Sequence, residues 1–93
     1  MFILTAFKNE HVEQEDFEMA LNCSAGVLAS LLDDENLEVI VDEENAQVHI
    51  KLNNGSSPKK KYTLEQFQQL SKKAFMENGL LYEEFHHLEV VEK

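Results

Sequence analysis

Leu37-Glu38-Val39-Ile40-Val41-Asp42-Glu43-Glu44-Asn45-Ala46-Gln47-Val48-His49-Ile50-Lys51-Leu52 reads as two strands and the turn between them. Apolar residues alternate at 37, 39 and 41 and again at 46, 48, 50 and 52, the period of a half-buried strand. A turn centred on Glu44-Asn45 sets 37 opposite 52, 39 opposite 50 and 41 opposite 48, all apolar on one face. The same register sets Glu38 opposite Lys51 and Asp42 opposite Gln47 on the other face. Slipping by one residue would send both apolar sets to solvent, so the register is strongly specified. Ile40, opposite His49, is the odd apolar residue pointing outward.

Working outward, residues 1–8 form a short β-prone run ending at Asn9. Both of its parities are apolar: Phe2, Leu4 and Ala6 on one, Ile3 and Phe7 on the other. Such a strand wants cover on two sides. Apolar positions 17, 20, 21, 27, 28, 31 and 32 follow the i, i+3, i+4, i+7 series and predict an amphipathic helix over 16–33, with Asp16 as N-cap. Asn22 to Gly26 is its weak part, where a bend or a close backbone approach would account for the glycine. Residues 53–61 make a polar loop of turn formers. A second helix spans 63–79: Thr63 and Gln66 supply a capping box, and Asn78-Gly79 a stop.

The tail, 80–93, admits two readings. Leu81, Phe85 and Leu88 sit at helical spacing, while either strand parity mixes apolar residues with Glu or His. The expectation is a helix over 80–89 with a β-like end at Val90-Val91. The fold class is therefore α+β in β-α-β-β-α order: a single domain over 1–93 with a three-stranded sheet (1–8, 37–43, 46–52) packed by two helices. A tail strand would make the order βαββαβ, a ferredoxin-like split. Ile3, Phe7 and Ile40 would share the sheet face away from the helices. A bare apolar patch there predicts a cover, either the tail through Leu81, Phe85 and Leu88 or a second molecule. The tail is the preferred cover, and monomer and homodimer both fit the sequence.

With 43% apolar residues and a single proline, the 93-residue chain can close a core. Its one cysteine, Cys23, rules out an internal disulfide and suits a reducing compartment. No run approaches the roughly 20 apolar residues that span a bilayer, and no basic n-region precedes the apolar start. A cytoplasmic location is the expectation.

Charge is segregated along the chain. Residues 1–50 hold twelve acids against the single base Lys8, whereas 51–93 hold seven lysines against six glutamates, within a total of −10. Such a field repels polyanions and attracts basic surfaces. Asp33-Asp34-Glu35 and Asp42-Glu43-Glu44 are dense carboxylate clusters without the alternating oxygens and central glycine of a calcium loop. They are the candidate partner-binding surface. Lys59, Lys60, Lys61, Lys72 and Lys73 form a candidate basic patch, sparse in stacking aromatics, so direct nucleic-acid binding is a minority reading. The loop Asn54-Gly55-Ser56-Ser57-Pro58-Lys59-Lys60-Lys61 lacks the glycine spacing and ending of a phosphate loop.

Catalytic chemistry is poorly signalled. Glu83, Glu84, His86 and His87 give two Glu-x-x-His pairs on a presumed helix, but a di-iron centre needs that motif twice with two more glutamates. A solvated helix face is the simpler expectation. Cys23 lacks an activating neighbour, and nearby acids would raise its pKa, so it reads as a small packing residue. No catalytic, cofactor or metal site is assigned. The functional expectation is a non-catalytic acidic interaction module, a cytosolic regulator or inhibitor docking on a basic surface of a larger protein, with nucleic-acid mimicry as its sharpest form. A small enzyme or accessory enzyme subunit with a site between protomers is the alternative from another class, and a basic-loop nucleic-acid binder the third.

Overall fold

A computed structural model of the protein describes residues 1–77 and 84–93. Along the chain it runs β1 (Phe2–Lys8), α1 (Gln14–Leu32), β2 (Leu37–Asp42), β3 (Gln47–Leu52), α2 (Leu64–Phe75) and β4 (Phe85–Glu92), with β2 and β3 joined as the hairpin. Every pair required by alternation is present: Leu37 with Leu52, Val39 with Ile50, Val41 with Val48, Glu38 with Lys51, Asp42 with Gln47 and Ile40 with His49. Val48 and Ile50 are buried, while Ile40 is exposed on the opposite face.

The turn is held by Asp42, whose carboxylate accepts from Asn45 N–H at 3.2 Å and Asn45 Nδ2 at 2.8 Å. Ala46, assigned by alternation to the strand, lies outside it with φ 53°, in the left-handed region. That conformation costs an L-residue with a Cβ roughly 1–2 kcal/mol. Its carbonyl still accepts from Ala6 N–H at 2.9 Å and so ties the turn to β1.

The sheet has four strands, not three, in the order β2-β3-β1-β4. β1 pairs antiparallel with β3 through Phe2–Ile50 and Leu4–Val48, and β4 pairs antiparallel with β1 on its other side. The helical reading of 80–89 is thus corrected over 85–89, and the βαββαβ, ferredoxin-like order is the one adopted. A bulge explains the misleading spacing. Phe7 faces His87, but Lys8 faces Phe85, so His86 is an extra residue. It resets parity and lets Phe85 and Leu88, three apart, both face the helices. Leu81 and the Asn78-Gly79 stop lie outside the described residues.

Helix α1 starts at Gln14 with Glu13 as N-cap, so Asp16 sits with Glu15 in the first turn, where negative charge suits the helix dipole, and does not cap. It runs unbroken through Gly26, and a Cβ added there would meet nothing within 4 Å. A close backbone approach does not explain that glycine. Helix α2 carries the expected capping box: Gln66 N–H donates to Thr63 Oγ1 at 3.2 Å, and Thr63 N–H to Gln66 Oε1 at 2.8 Å. It ends at Phe75, with Met76 as C-cap, short of the expected 79.

Both helices cover one face. The core there joins Leu4, Leu21, Leu28, Ile50, Phe67 and Phe75. Phe85 packs between Phe17 and Phe75, at ring-centroid distances of 5.7 and 5.2 Å. Ser24 and Ser71, on the two helices, are fully buried, and neither hydroxyl finds a partner among the described residues. Over the described residues 84–93 the tail does not cover the opposite face, because Phe85 and Leu88 are committed to the helix side. β4 instead extends that face sideways, aligning Ile40, His49, Ile3 and Val91 in one cross-strand row. Ile3 is buried within the row, while Phe7, Ile40 and Val91 remain exposed.

Candidate functional site

The two acidic clusters lie at opposite ends of the β2–β3 hairpin and meet different surroundings. Asp33 is the C-cap of α1, with φ 46°, and its carboxylate lies 3.8 Å from Lys60 Nζ. Glu35 pairs with Lys59 Nζ, whose pKa is raised above its ordinary value by that hydrogen bond and by the Glu35, Asp34 and Asp33 charges. Asp34 is buried. One of its oxygens accepts from Asn36 N–H at 3.0 Å, the other from Lys59 and Lys60 N–H at 2.7 and 3.0 Å. Burial pushes its pKa up, but the three backbone donors outweigh burial and hold the carboxyl below its ordinary value. This cluster therefore clamps the 53–61 loop. Asn36 Nδ2 adds a bond to Ser57 O at 2.8 Å, and Tyr62 Oη donates to Leu32 O at 2.6 Å.

The second cluster is used otherwise. Asp42 serves the turn, its pKa lowered first by the Asn45 side chain and then by the Asn45 backbone. Glu43 and Glu44 are exposed. Asn22 Nδ2 donates to Glu43 Oε1 at 2.6 Å and to Glu18 O at 2.9 Å, so one amide ties the hairpin turn to α1. Glu15 and Glu18, at i+7 and i+4 spacing from Asn22, share its helix face and so lie on the side tied to the turn. Among the described residues no lysine pairs with Glu18, Glu43 or Glu44. Asn22 carried no functional signal in the sequence. Its role depends on a residue 21 positions away.

The lysines are divided too. Lys59, Lys60 and Lys61 precede α2, whereas Lys72 and Lys73 occupy its last turn, where positive charge suits the helix dipole. Residues 64–71 of the helix lie between the two groups, a rise of about 12 Å. His86 and His87 are exposed at the start of β4, not on a helix, which removes the one-face geometry the Glu-x-x-His pairs require. Glu83 lies outside the described residues. His87 packs beside Phe7 at 5.6 Å and lies 3.8 Å from Glu89. Among the described residues no three of His, Cys, Asp and Glu group as a metal site. Cys23 is exposed on α1 and is not the packing residue expected. Among the described residues no helix is long and apolar enough to cross a membrane.

Compared with known protein families, curated proteins and solved structures, the chain matches none.

Proposed function

We propose that the protein is a non-catalytic, cytosolic interaction module that docks on a basic surface of a larger protein through the side formed by the first half of α1 and the β2–β3 turn. The observation that carries this reading is the Asn22 bridge, which joins two acidic segments distant in sequence into one side whose glutamates keep their charge for a partner. The Asp33–Glu35 cluster, in contrast, is engaged with the protein's own lysines and backbone, so Asp33, Asp34 and Glu35 leave the proposed interface.

Electrostatic docking of this kind acts mainly on the association rate, and salt screens it beyond about 8 Å at 0.15 M. The test is capture of a partner from the source cytosol at low salt, then stopped-flow association of that partner with parent and Glu43→Lys/Glu44→Lys. The expected result is association slowed about tenfold or more in a variant that remains folded, its melting temperature lowered only by the loss of the exposed Asn22–Glu43 bond. Equal rates for parent and variant would contradict the reading.

A further inference from the structure

At the end of the sheet away from the acidic turn lies a slot of about 350 Å³, within the size range of small-molecule sites. Phe2, Leu37, Ile50, Leu52, Tyr62 and Phe67 line it. Its floor is continuous with the core, since Ile50 and Phe67 are buried, and its rim is open at Leu52, which is 44% exposed. Phe2 and Phe67 stack with ring centroids 3.8 Å apart, and Tyr62 meets Phe67 edge-on at 5.1 Å. The Tyr62 hydroxyl is bound to Leu32 O.

The remaining lining is cationic. Lys60 and Lys61 contribute to the slot and no carboxylate does, while the side chain of Lys51, between Ile50 and Leu52, lies with Glu38 on the other face of the sheet. Lys60 is shared with Asp33 at 3.8 Å, but Lys61 forms no ion pair among the described residues. In a chain of net charge −10 this is a local inversion of sign. The wall is also built in advance. The Asp34 clamp and the Asn36–Ser57 bond fix the loop that carries Pro58, Lys60 and Lys61, so a ligand need not order it.

We propose that this slot binds a small molecule with an apolar body and a single anionic head, an aryl or acyl carboxylate. The body would replace water over Leu37, Leu52 and the aromatic trio, and the head would sit at Lys61, beside Lys60. The overall negative charge selects for one anionic group and against a polyanion.

Amide NMR on the full chain at 0.15 M salt tests this with 1-naphthoate and octanoate as probes, and the matching alcohols as neutral controls. Saturable shifts at Leu37, Leu52, Lys61 and Tyr62 are expected, with Kd of about 0.1–1 mM for such small ligands. Alcohols should bind at least about threefold more weakly, and Lys60→Gln/Lys61→Gln should weaken the acids about threefold to tenfold while leaving alcohol binding unchanged. Both lysines are exposed, and an unchanged melting temperature shows that the variant is folded. Tighter binding of naphthoate or of octanoate tells a ring from a chain as the preferred body. Absence of saturable shifts at these residues with either acid, equal binding of the alcohols, or unaltered acid affinity in the double variant would each overturn the proposal.

Discussion

The two ends of the hairpin carry similar carboxylate triplets and use them in opposite ways. At the Leu37–Leu52 end, Asp34 is buried and accepts from three backbone N–H groups, so holding the 53–61 loop, while the exposed Asp33 and Glu35 pair with Lys60 and Lys59. At the turn end, Asp42 holds the turn and Glu43 accepts from Asn22, while Glu44 is exposed and neither glutamate meets a lysine among the described residues. Composition alone does not distinguish the two triplets. What differs is which donors the fold delivers: lysines and backbone N–H groups at one end, the amides of Asn22 and Asn45 at the other. Substitutions at the clamped end should therefore act through stability, and those at the turn end through association.

The largest effect is expected at Ile50, which is both slot floor and core. Ile50→Asp buries a charge without a partner and should cost about 4 kcal/mol or more, enough to unfold a small domain under mild conditions. Urea denaturation checks this, and a variant that unfolds with the parent's midpoint would detach the slot from the core.

Next comes Asp34→Asn, which sets an amide donor against backbone donors that the carboxylate accepts. Its melting temperature should fall, and its acid profile should change shape. Because folding holds the Asp34 carboxyl below its ordinary value of 3.8, the stabilisation is complete above that value and is lost as pH falls through the lower native one. The parent should lose stability in that acid window, and Asp34→Asn should show a flatter dependence there. Parallel pH profiles would mean that the clamp contributes nothing.

A smaller effect, of opposite sign, is expected at the turn. Ala46→Gly relieves the left-handed conformation at some entropic cost and should raise stability by about 0.5–1 kcal/mol, a rise of about 2–8 °C in melting temperature. Calorimetry that finds a lower melting temperature would show that the turn depends on the alanine side chain.

How much of this was legible in the sequence depended on how local the determinants were. The hairpin register followed from alternation alone, and the Thr63–Gln66 capping box from four adjacent residues. The tail was obscured by the extra residue His86, because a bulge breaks the period that identifies a strand. The division between the two acidic clusters was hidden for another reason. Asp34 is committed by Lys59 and Lys60, about 25 positions later, and Glu43 is joined to Asn22 only once α1 lies over the hairpin. The slot likewise draws on the first strand, the hairpin and the loop before α2, so no single window of sequence contains it.

The central claim, that the turn-end carboxylates dock and the clamp-end ones do not, is tested by two variants that change net charge equally. Glu43→Gln/Glu44→Gln and Asp33→Asn/Glu35→Gln each remove two negative charges, and asparagine tolerates the left-handed backbone at position 33. The measurement is the association rate of each with the captured partner at 0.15 M salt, where screening leaves local charge dominant. The account predicts a loss of about threefold or more for the turn-end pair and a rate within about 1.5-fold of the parent for the clamp-end pair. Equal losses, or the larger loss at Asp33 and Glu35, would contradict it.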